Sequence, residues 1–289
     1  MRRLSVLFLL CCLNTAHATE PTTKVYVLGM IHSGHLTSEM WGVEQVAETI
    51  RAIDPDVICI EIPPANWPSA LATWGEKHIV EDSRVKVFPE YVDVLLPLSD
   101  EMDFVVEPCA GWTRSMATAR RARIEEFETS AADSLARMAY EEDEAWVSKW
   151  LKDSAPEFAD DDPFYIHSPL YDLRSKAELG PYEFHLNDVI GPPGGWTYIN
   201  EEHFALIAAA IEKHAGQNIL ITFGAGHKYW FLEKLREMAD VELVDVRAFL
   251  PVTEKVSAPQ SSTRTDALLE SIEELGAWRI QQVRAQSSR

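Results

Sequence analysis

The chain has 289 residues, of which 46% are apolar and 25% are charged, so a substantial hydrophobic core can form. Its formal net charge of −20 at pH 7 argues against proteins that bind nucleic acid or anionic membranes, because both of these partners are polyanions. The charge is compatible with cationic ligands or metal ions, and equally with plain solubility. The length favours one domain with an insertion over two equal domains.

The N-terminal residues 1–18 have the pattern of a secretory signal peptide. Arg2 and Arg3 precede a short apolar core at residues 4–13, and an A-x-A cleavage motif ends at Ala18. The apolar core is too short to span a membrane, and no other stretch of the chain is long and apolar enough. The sequence therefore predicts export to a periplasm or beyond, with cleavage near Ala18.

Two cysteines, Cys59 and Cys109, remain after that cleavage. An oxidising compartment would allow them to form one disulfide. Both lie at the ends of predicted strands and outside any cysteine-rich framework, so ordinary buried thiols are favoured.

Five runs of apolar and β-branched residues predict strands that are buried on both faces. They alternate with helical patterns, which predicts an α/β fold with a mainly parallel central sheet flanked by helices. The runs are 23–33, 57–62, 104–107, 219–223 and 241–250.

The helical patterns and the loop signals divide the chain further. Residues 19–250 are predicted to form one domain, with an α-helical insertion at about 112–165 over the carboxyl edge of the sheet. Residues 163–196 are rich in proline and glycine and are interpreted as loop-like. Asn200 is predicted to be the N-cap of an amphipathic helix. Residues 251–289 are predicted to be a linker and a C-terminal helix.

The same short motif, G-x-x-H, follows two of the predicted strands. Gly29 and His32 follow the first strand, and Gly224 and His227 follow the fourth. His227 also precedes a predicted helix, whose dipole disfavours a charged imidazole and so favours a neutral one that can bind a ligand. The alternative is a glycine-rich turn in which the histidine caps the helix.

Two carboxylates occupy comparable positions, Glu61 at the end of the second strand and Glu107 at the end of the third. If the strands are parallel, these side chains and those of His32 and His227 are expected to meet at one edge of the sheet. Two imidazoles and two carboxylates could bind a divalent metal, or could activate water as a metal-free acid/base group. His203 is interpreted as a surface residue.

The segments VYVLGMIH, ICIEIPP and ILITFGAGHKYWFLEKL resemble the TraB/PrgY/GumN–TIKI superfamily, which is related in fold to the erythromycin esterases and the ChaN-like haem-binding proteins. The family pattern has two GxxH motifs and a glutamate between them. His32, His227 and Glu61 match these positions. Asn200 matches the second residue of an Arg-Asn pair found in many members, whereas Ile199 stands in place of the arginine.

The resemblance implies a shared functional site more strongly than it implies any one reaction, because the related proteins differ in activity. TIKI members are described as metal-dependent peptidases, erythromycin esterases as hydrolases that need no metal, and PrgY as a pheromone inhibitor. The leading hypothesis is an exported hydrolase of peptide or ester bonds, with Mn²⁺, Co²⁺ or Zn²⁺ held by His32, Glu61 and His227. Glu107 would act as a base or would orient a histidine.

The competing hypothesis is a protein that binds haem or a small peptide without catalysis. Haem binding would require an exposed axial ligand beside an apolar slot, for which Tyr171, Tyr198 and Tyr229 are candidates. In either case the expected partner is a small molecule or a peptide.

Overall fold

Five short apolar runs form the strands of the central sheet. The computed structural model describes residues 22–153, 159–192 and 195–252. The strands are β1 (Thr23–Met30), β2 (Val57–Ile60), β3 (Val105–Pro108), β4 (Asn218–Gly224) and β5 (Val241–Val244). All strand pairs are parallel, and the order across the sheet is β3-β2-β4-β1-β5. The predicted α/β fold with a parallel sheet flanked by helices is confirmed.

The two strands that carry the GxxH motifs are neighbours at the centre of this sheet. β1 and β4 pair in register from Lys24 with Asn218 to Met30 with Gly224. β2 pairs with the other side of β4. The carboxyl ends of β1, β4 and β2 therefore lie side by side, which brings the segments after these strands to one edge.

Helices cover both faces of the sheet, which explains why its central strands are apolar on both faces. One face packs against α1 (Val43–Ile53), α2 (Trp67–Lys77) and a π-helix (Glu90–Leu95) that continues into α3 (Leu96–Leu98). The other face packs against α8 (Trp196–Lys213) and α9 (Lys228–Leu235).

Four helices lie in the described part of the region between β3 and α8. They are α4 (Arg114–Thr129), α5 (Ser134–Asp153), α6 (Pro163–Ile166) and α7 (Pro169–Ile190). α4, α5 and α6 lie in the predicted helical insertion. Its role as a cover for the sheet edge stays a prediction.

The interpretation of residues 163–196 as a loop is wrong, because α7 alone spans 22 of them. Pro163 and Pro169 occupy the first turns of α6 and α7, where proline's missing N–H leaves no bond unmade. The side chains of Asp162 and Ser168 cap these two helices. These prolines therefore mark helix starts, although the sequence pattern suggested turns.

Two other element boundaries differ from the prediction. α8 begins at Trp196 with Gly195 at its N-cap, so Asn200 lies inside the helix. β5 ends at Val244, and a 3₁₀ helix (Val246–Phe249) replaces the predicted strand extension. The predicted signal peptide and C-terminal helix lie outside the described residues.

Cys59 and Cys109 are both buried and both free. A hydrogen bond with Cys59, together with burial, raises the pKa of the Cys109 thiol well above its usual range. Such a thiol stays protonated and unreactive at neutral pH.

Within the described parts of the chain, no helix has both the length and the apolar character needed to cross a bilayer.

Candidate functional site

His32 lies just beyond the carboxyl end of β1 in an unusual backbone conformation. Its φ is 50°, in the left-handed region that residues other than glycine seldom adopt. A short 3₁₀ helix starts at His32, and the side chain is 35% exposed. Such a conformation costs free energy and persists where the surrounding structure imposes it, often at functional sites.

Glu90 orients the His32 ring. Nδ1 of His32 lies 2.6 Å from Oε1 of Glu90, so the ring donates its Nδ1–H to a carboxylate that is 1% exposed. Oε2 of Glu90 is buried and has no hydrogen-bond partner in the described parts of the chain. Glu90 was not predicted as a site residue, since the segment before β3 carried no recognised motif.

Glu61 faces the other ring nitrogen. Its Oε2 lies 3.6 Å from Nε2 of His32 and accepts a 2.8 Å hydrogen bond from the Gly224 N–H. The Tyr91 hydroxyl accepts a hydrogen bond from the Glu61 N–H and donates one to the Thr222 carbonyl, which fixes the backbone at Glu61. The His32 ring is therefore held between two buried carboxylates.

The charges around His32 and Glu61 shift both pKa values upward. Burial alone would lower the pKa of His32, but the hydrogen bond to Glu90 and the negative charges of Glu61 and Glu90 outweigh it, so the pKa is raised. Burial raises the pKa of Glu61, although the His32 charge and the Gly224 N–H oppose this shift. Shifted pKa values of this kind, caused by burial and by specific charged neighbours, often occur at functional sites.

Gly224 allows this arrangement because its Cα lies directly against the His32 ring. A Cβ added at Gly224 would lie 2.7 Å from Nε2 of His32 and 3.4 Å from Oε2 of Glu61. The shorter distance is below any normal contact, so the imidazole would have to move. The glycine of the second GxxH motif is therefore required by the histidine of the first.

We expect Gly224→Ala to displace the His32 imidazole, because the added Cβ would lie 2.7 Å from Nε2. A ring that moves away from Glu61 loses one of the charges that raise its pKa, so its titration midpoint should fall. The measurement is the NMR titration of the His32 ring together with the melting temperature. Gly226→Ala is the matched control, because a Cβ at Gly226 meets nothing within 4 Å. Equal His32 titrations in the two variants would contradict the assigned position of His32.

His227 is held by Asn200 and by two aromatic rings. Its Nδ1 donates to Oδ1 of Asn200 at 2.7 Å, while Nδ2 of Asn200 donates to the Trp196 carbonyl at 2.9 Å. Trp196 and Phe231 stack on the imidazole with centroid distances of 4.7 and 5.9 Å. Because Nδ1 carries the proton, Nε2 presents a lone pair.

His227 is neutral at physiological pH. Burial, followed by the charges of His203 and His32, lowers its pKa to about 3. The charges of His203 and His32 act in the same direction as burial. His227 can therefore accept a hydrogen bond without carrying charge.

The interpretation of His203 as a surface residue is wrong, because it is buried beside His227. The two ring centroids are 5.4 Å apart, and Nδ1 of His203 accepts a 2.9 Å hydrogen bond from the Gly111 N–H. Burial, followed by the charge of Arg84, lowers the pKa of His203 to about 4.

The expectation that Glu107 joins the other three side chains is wrong. Oε1 of Glu107 accepts hydrogen bonds from Lys213 at 2.6 Å and from His214 at 2.8 Å, at the C-terminal end of α8. Glu107 pairs in register with Cys59, so both side chains project toward the face covered by α8. Burial would raise the pKa of Glu107, but the bonds to Lys213 and His214 lower it. Glu107 is therefore a structural ion-pair partner.

The predicted metal ligands have suitable chemistry. His32 and His227 each have Nδ1 fixed by an oxygen, which is how proteins commonly hold metal-binding imidazoles with Nε2 available. In the described parts of the chain, no group of three or more His, Cys, Asp or Glu side chains is arranged to hold one metal ion. Metal binding by His32, Glu61 and His227 stays a prediction.

The tyrosines considered as haem ligands differ in their surroundings. Tyr229 is buried, and its hydroxyl accepts a 2.7 Å hydrogen bond from Nε1 of Trp196. Tyr171 packs edge-on against Tyr165, and Tyr198 is half-buried. Haem binding stays a prediction.

Two further histidines near the site support its backbone. His35 donates from Nδ1 to the Trp41 carbonyl and accepts from the Ile31 N–H at Nε2. His167 donates from Nδ1 to the Pro163 carbonyl and accepts from the Gly29 N–H at Nε2. Both rings use both nitrogens and are buried, so their role is structural.

In comparisons with known proteins, no family model, no curated protein and no solved structure matches the chain.

Proposed function

We propose that the protein is a hydrolase of peptide or ester bonds in which His32 is the general base. One observation carries this proposal, which is the imidazole of His32 held between the buried carboxylates of Glu90 and Glu61. A carboxylate on Nδ1 fixes the tautomer and stabilises the imidazolium that forms when Nε2 accepts a proton. The partial exposure of the ring supports access by a substrate.

The proposed reaction starts with a water molecule that attacks the carbonyl carbon of the substrate. As the oxygen–carbon bond forms, Nε2 of His32 takes a proton from the water. The imidazolium is then flanked by Glu90 on Nδ1 and by Glu61 near Nε2. When the tetrahedral intermediate collapses, the bond to the leaving alcohol or amine breaks, and His32 returns the proton to that group.

His227 would have a separate role in this reaction. As a neutral ring with a free Nε2, it can accept a hydrogen bond from a substrate N–H or from the attacking water. The stacked Trp196 and Phe231 rings keep its orientation fixed, which limits the reorganisation needed on binding. We therefore propose that His227 positions the substrate or the attacking water.

The test is hydrolysis of p-nitrophenyl esters and of fluorogenic peptides by the full chain. Chelator-treated protein is assayed alone and after addition of Mn²⁺, Co²⁺ or Zn²⁺, with metal content measured in parallel. Turnover by the chelated protein supports the mechanism above, and turnover that requires one of these ions supports the metal-dependent form. Saturable peptide or haem binding without turnover would favour the binding-protein alternative.

The pH dependence of kcat/KM should identify the base. Only neutral His32 can accept a proton, so kcat/KM should rise with pH, with a midpoint above the usual histidine value of about 6.5. Glu90→Gln removes one of the negative charges that raise this pKa and should move the midpoint to lower pH. A midpoint that is the same in both proteins would show that another group is the base.

A further inference from the structure

A cavity of about 240 Å³ lies on the other side of β1 from β4. It is lined by β1, β5, the 3₁₀ helix that follows β5, the start of α7, and α9. Its lining does not include His32, Glu61 or His227, although Lys228 in its wall directly follows His227. The cavity is therefore separate from the candidate active site.

Two ion pairs account for four of the five charged residues in the lining. Lys228 is 3% exposed and is bonded to Asp172. Arg247 binds Asp245 through two parallel hydrogen bonds, from Nε at 3.0 Å to Oδ1 and from a terminal nitrogen at 2.6 Å to Oδ2. Within each pair the charges cancel.

Arg236 is the fifth charged residue, and it is exposed. Across the described ranges its guanidinium makes no ion pair. The lining therefore carries a net charge of one positive unit, in a chain whose formal net charge is −20. Arg236 is within electrostatic range of Asp172, but that carboxylate is already bonded to Lys228, so one positive charge remains in excess. One excess positive charge in a concave site matches a monoanion, and the planar donor fork of arginine matches a carboxylate.

The other residues of the lining indicate the chemistry of the part of the ligand beyond its charged group. The apolar part of the lining consists of Pro169 and five aliphatic residues, which are Val27, Leu232, Leu243, Val244 and Val246. His167 adds no charge, because both of its ring nitrogens are bonded and burial lowers its pKa to about 3. The cavity thus combines one cationic side with aliphatic walls.

We propose that this cavity binds a small monocarboxylate with a short aliphatic tail. Arg236 and a free N–H of Lys228 would hold the carboxylate, since Asp172 uses one of the three ammonium donors. The aliphatic walls would cover the tail. A free short-chain acid and the C-terminus of a peptide both offer this chemistry, and the site does not depend on the proposed hydrolase activity.

The test is methyl NMR on the full chain labelled at valine and leucine methyl groups. Sodium butyrate should give saturable shifts at Val27, Leu232 and Leu243, and inorganic phosphate should give none there. A dipeptide with a free C-terminus, compared with its amidated form, distinguishes the two sources of the carboxylate. The absence of saturable shifts with butyrate, or tighter binding of phosphate, would overturn the proposal.

Butyrate affinities of variants inside and outside the cavity test which side chain binds the carboxylate. Arg236→Gln should weaken butyrate binding about tenfold or more, the usual range for a lost hydrogen bond to a charged group. Lys234→Gln, which changes a cation in the same helix but outside the cavity, should leave the affinity unchanged. His32→Asn should also leave it unchanged, which separates this site from the active site. Equal affinities of Arg236→Gln and wild type would refute the assignment.

Discussion

The His32→Asn variant should hydrolyse its substrate about 10²- to 10⁴-fold more slowly than wild type, which is the usual contribution of a positioned general base. Asparagine is the informative replacement because it tolerates the φ of 50° at this position, whereas alanine does not. Its side-chain amide can also donate to the buried carboxylate of Glu90. The variant therefore removes the base without leaving Glu90 unpaired.

His78→Asn is the matched control for that experiment. His78 is exposed and has a φ of 52°, so the same replacement is made in the same backbone conformation, away from the site. Initial rates and melting temperatures are compared for both variants. His32→Asn with a normal melting temperature and normal turnover would exclude His32 as the base, and a large drop in melting temperature would show that the residue is mainly structural.

The sequence predicted the two GxxH histidines because both follow buried strands, but it could not predict the strand order. Consecutive strands β1 and β2 are separated in the sheet by β4, which enters between them late in the chain. That order brings His32, Glu61 and Gly224 together. The hydrophobic pattern of a strand indicates that both of its faces are buried, but it does not indicate which strands lie beside it.

Glu61 and Glu107 show why position at a strand end is not sufficient. Glu61 is one residue beyond β2, where its side chain can turn toward Gly224. Glu107 lies within β3, where the alternation of side chains directs it toward α8. Glu61 lies one residue after the end of its strand and Glu107 one residue before the end of its own, so a difference of two residues separates a site residue from a structural one.

His203 and Glu90 were missed for different reasons. His203 is three residues after Asn200 and four before Ile207, so it shares the buried face of α8, and helical spacing could have identified it. Glu90 lies in a π-helix turn, whose geometry differs from the regular helical period. Its contact with His32 joins residues 58 positions apart and leaves no local pattern.

The Asp172→Leu variant should lose about 3–5 kcal/mol of unfolding free energy, the usual penalty for removing one partner of a buried ion pair. Asp172 on α7 is the partner of Lys228 on α9, and the lysine is 3% exposed. Without Asp172, the buried ammonium group would keep only the attraction of Asp245, which is itself bonded to Arg247. The double variant Asp172→Leu/Lys228→Met should recover most of the loss, because it leaves no buried charge.

An exposed ion pair between the same two helices is the control. Lys176 on α7 and Glu233 on α9 are bonded at 2.6 Å with side chains 50% and 48% exposed. Glu233→Leu should cost about 1 kcal/mol or less, as is usual for ion pairs in contact with solvent. Urea unfolding of the four proteins (wild type, both single variants and the double variant) gives the free energies. Similar losses for Asp172→Leu and Glu233→Leu would mean that the Lys228 ammonium reaches solvent once Asp172 is removed, and would contradict the buried ion pair.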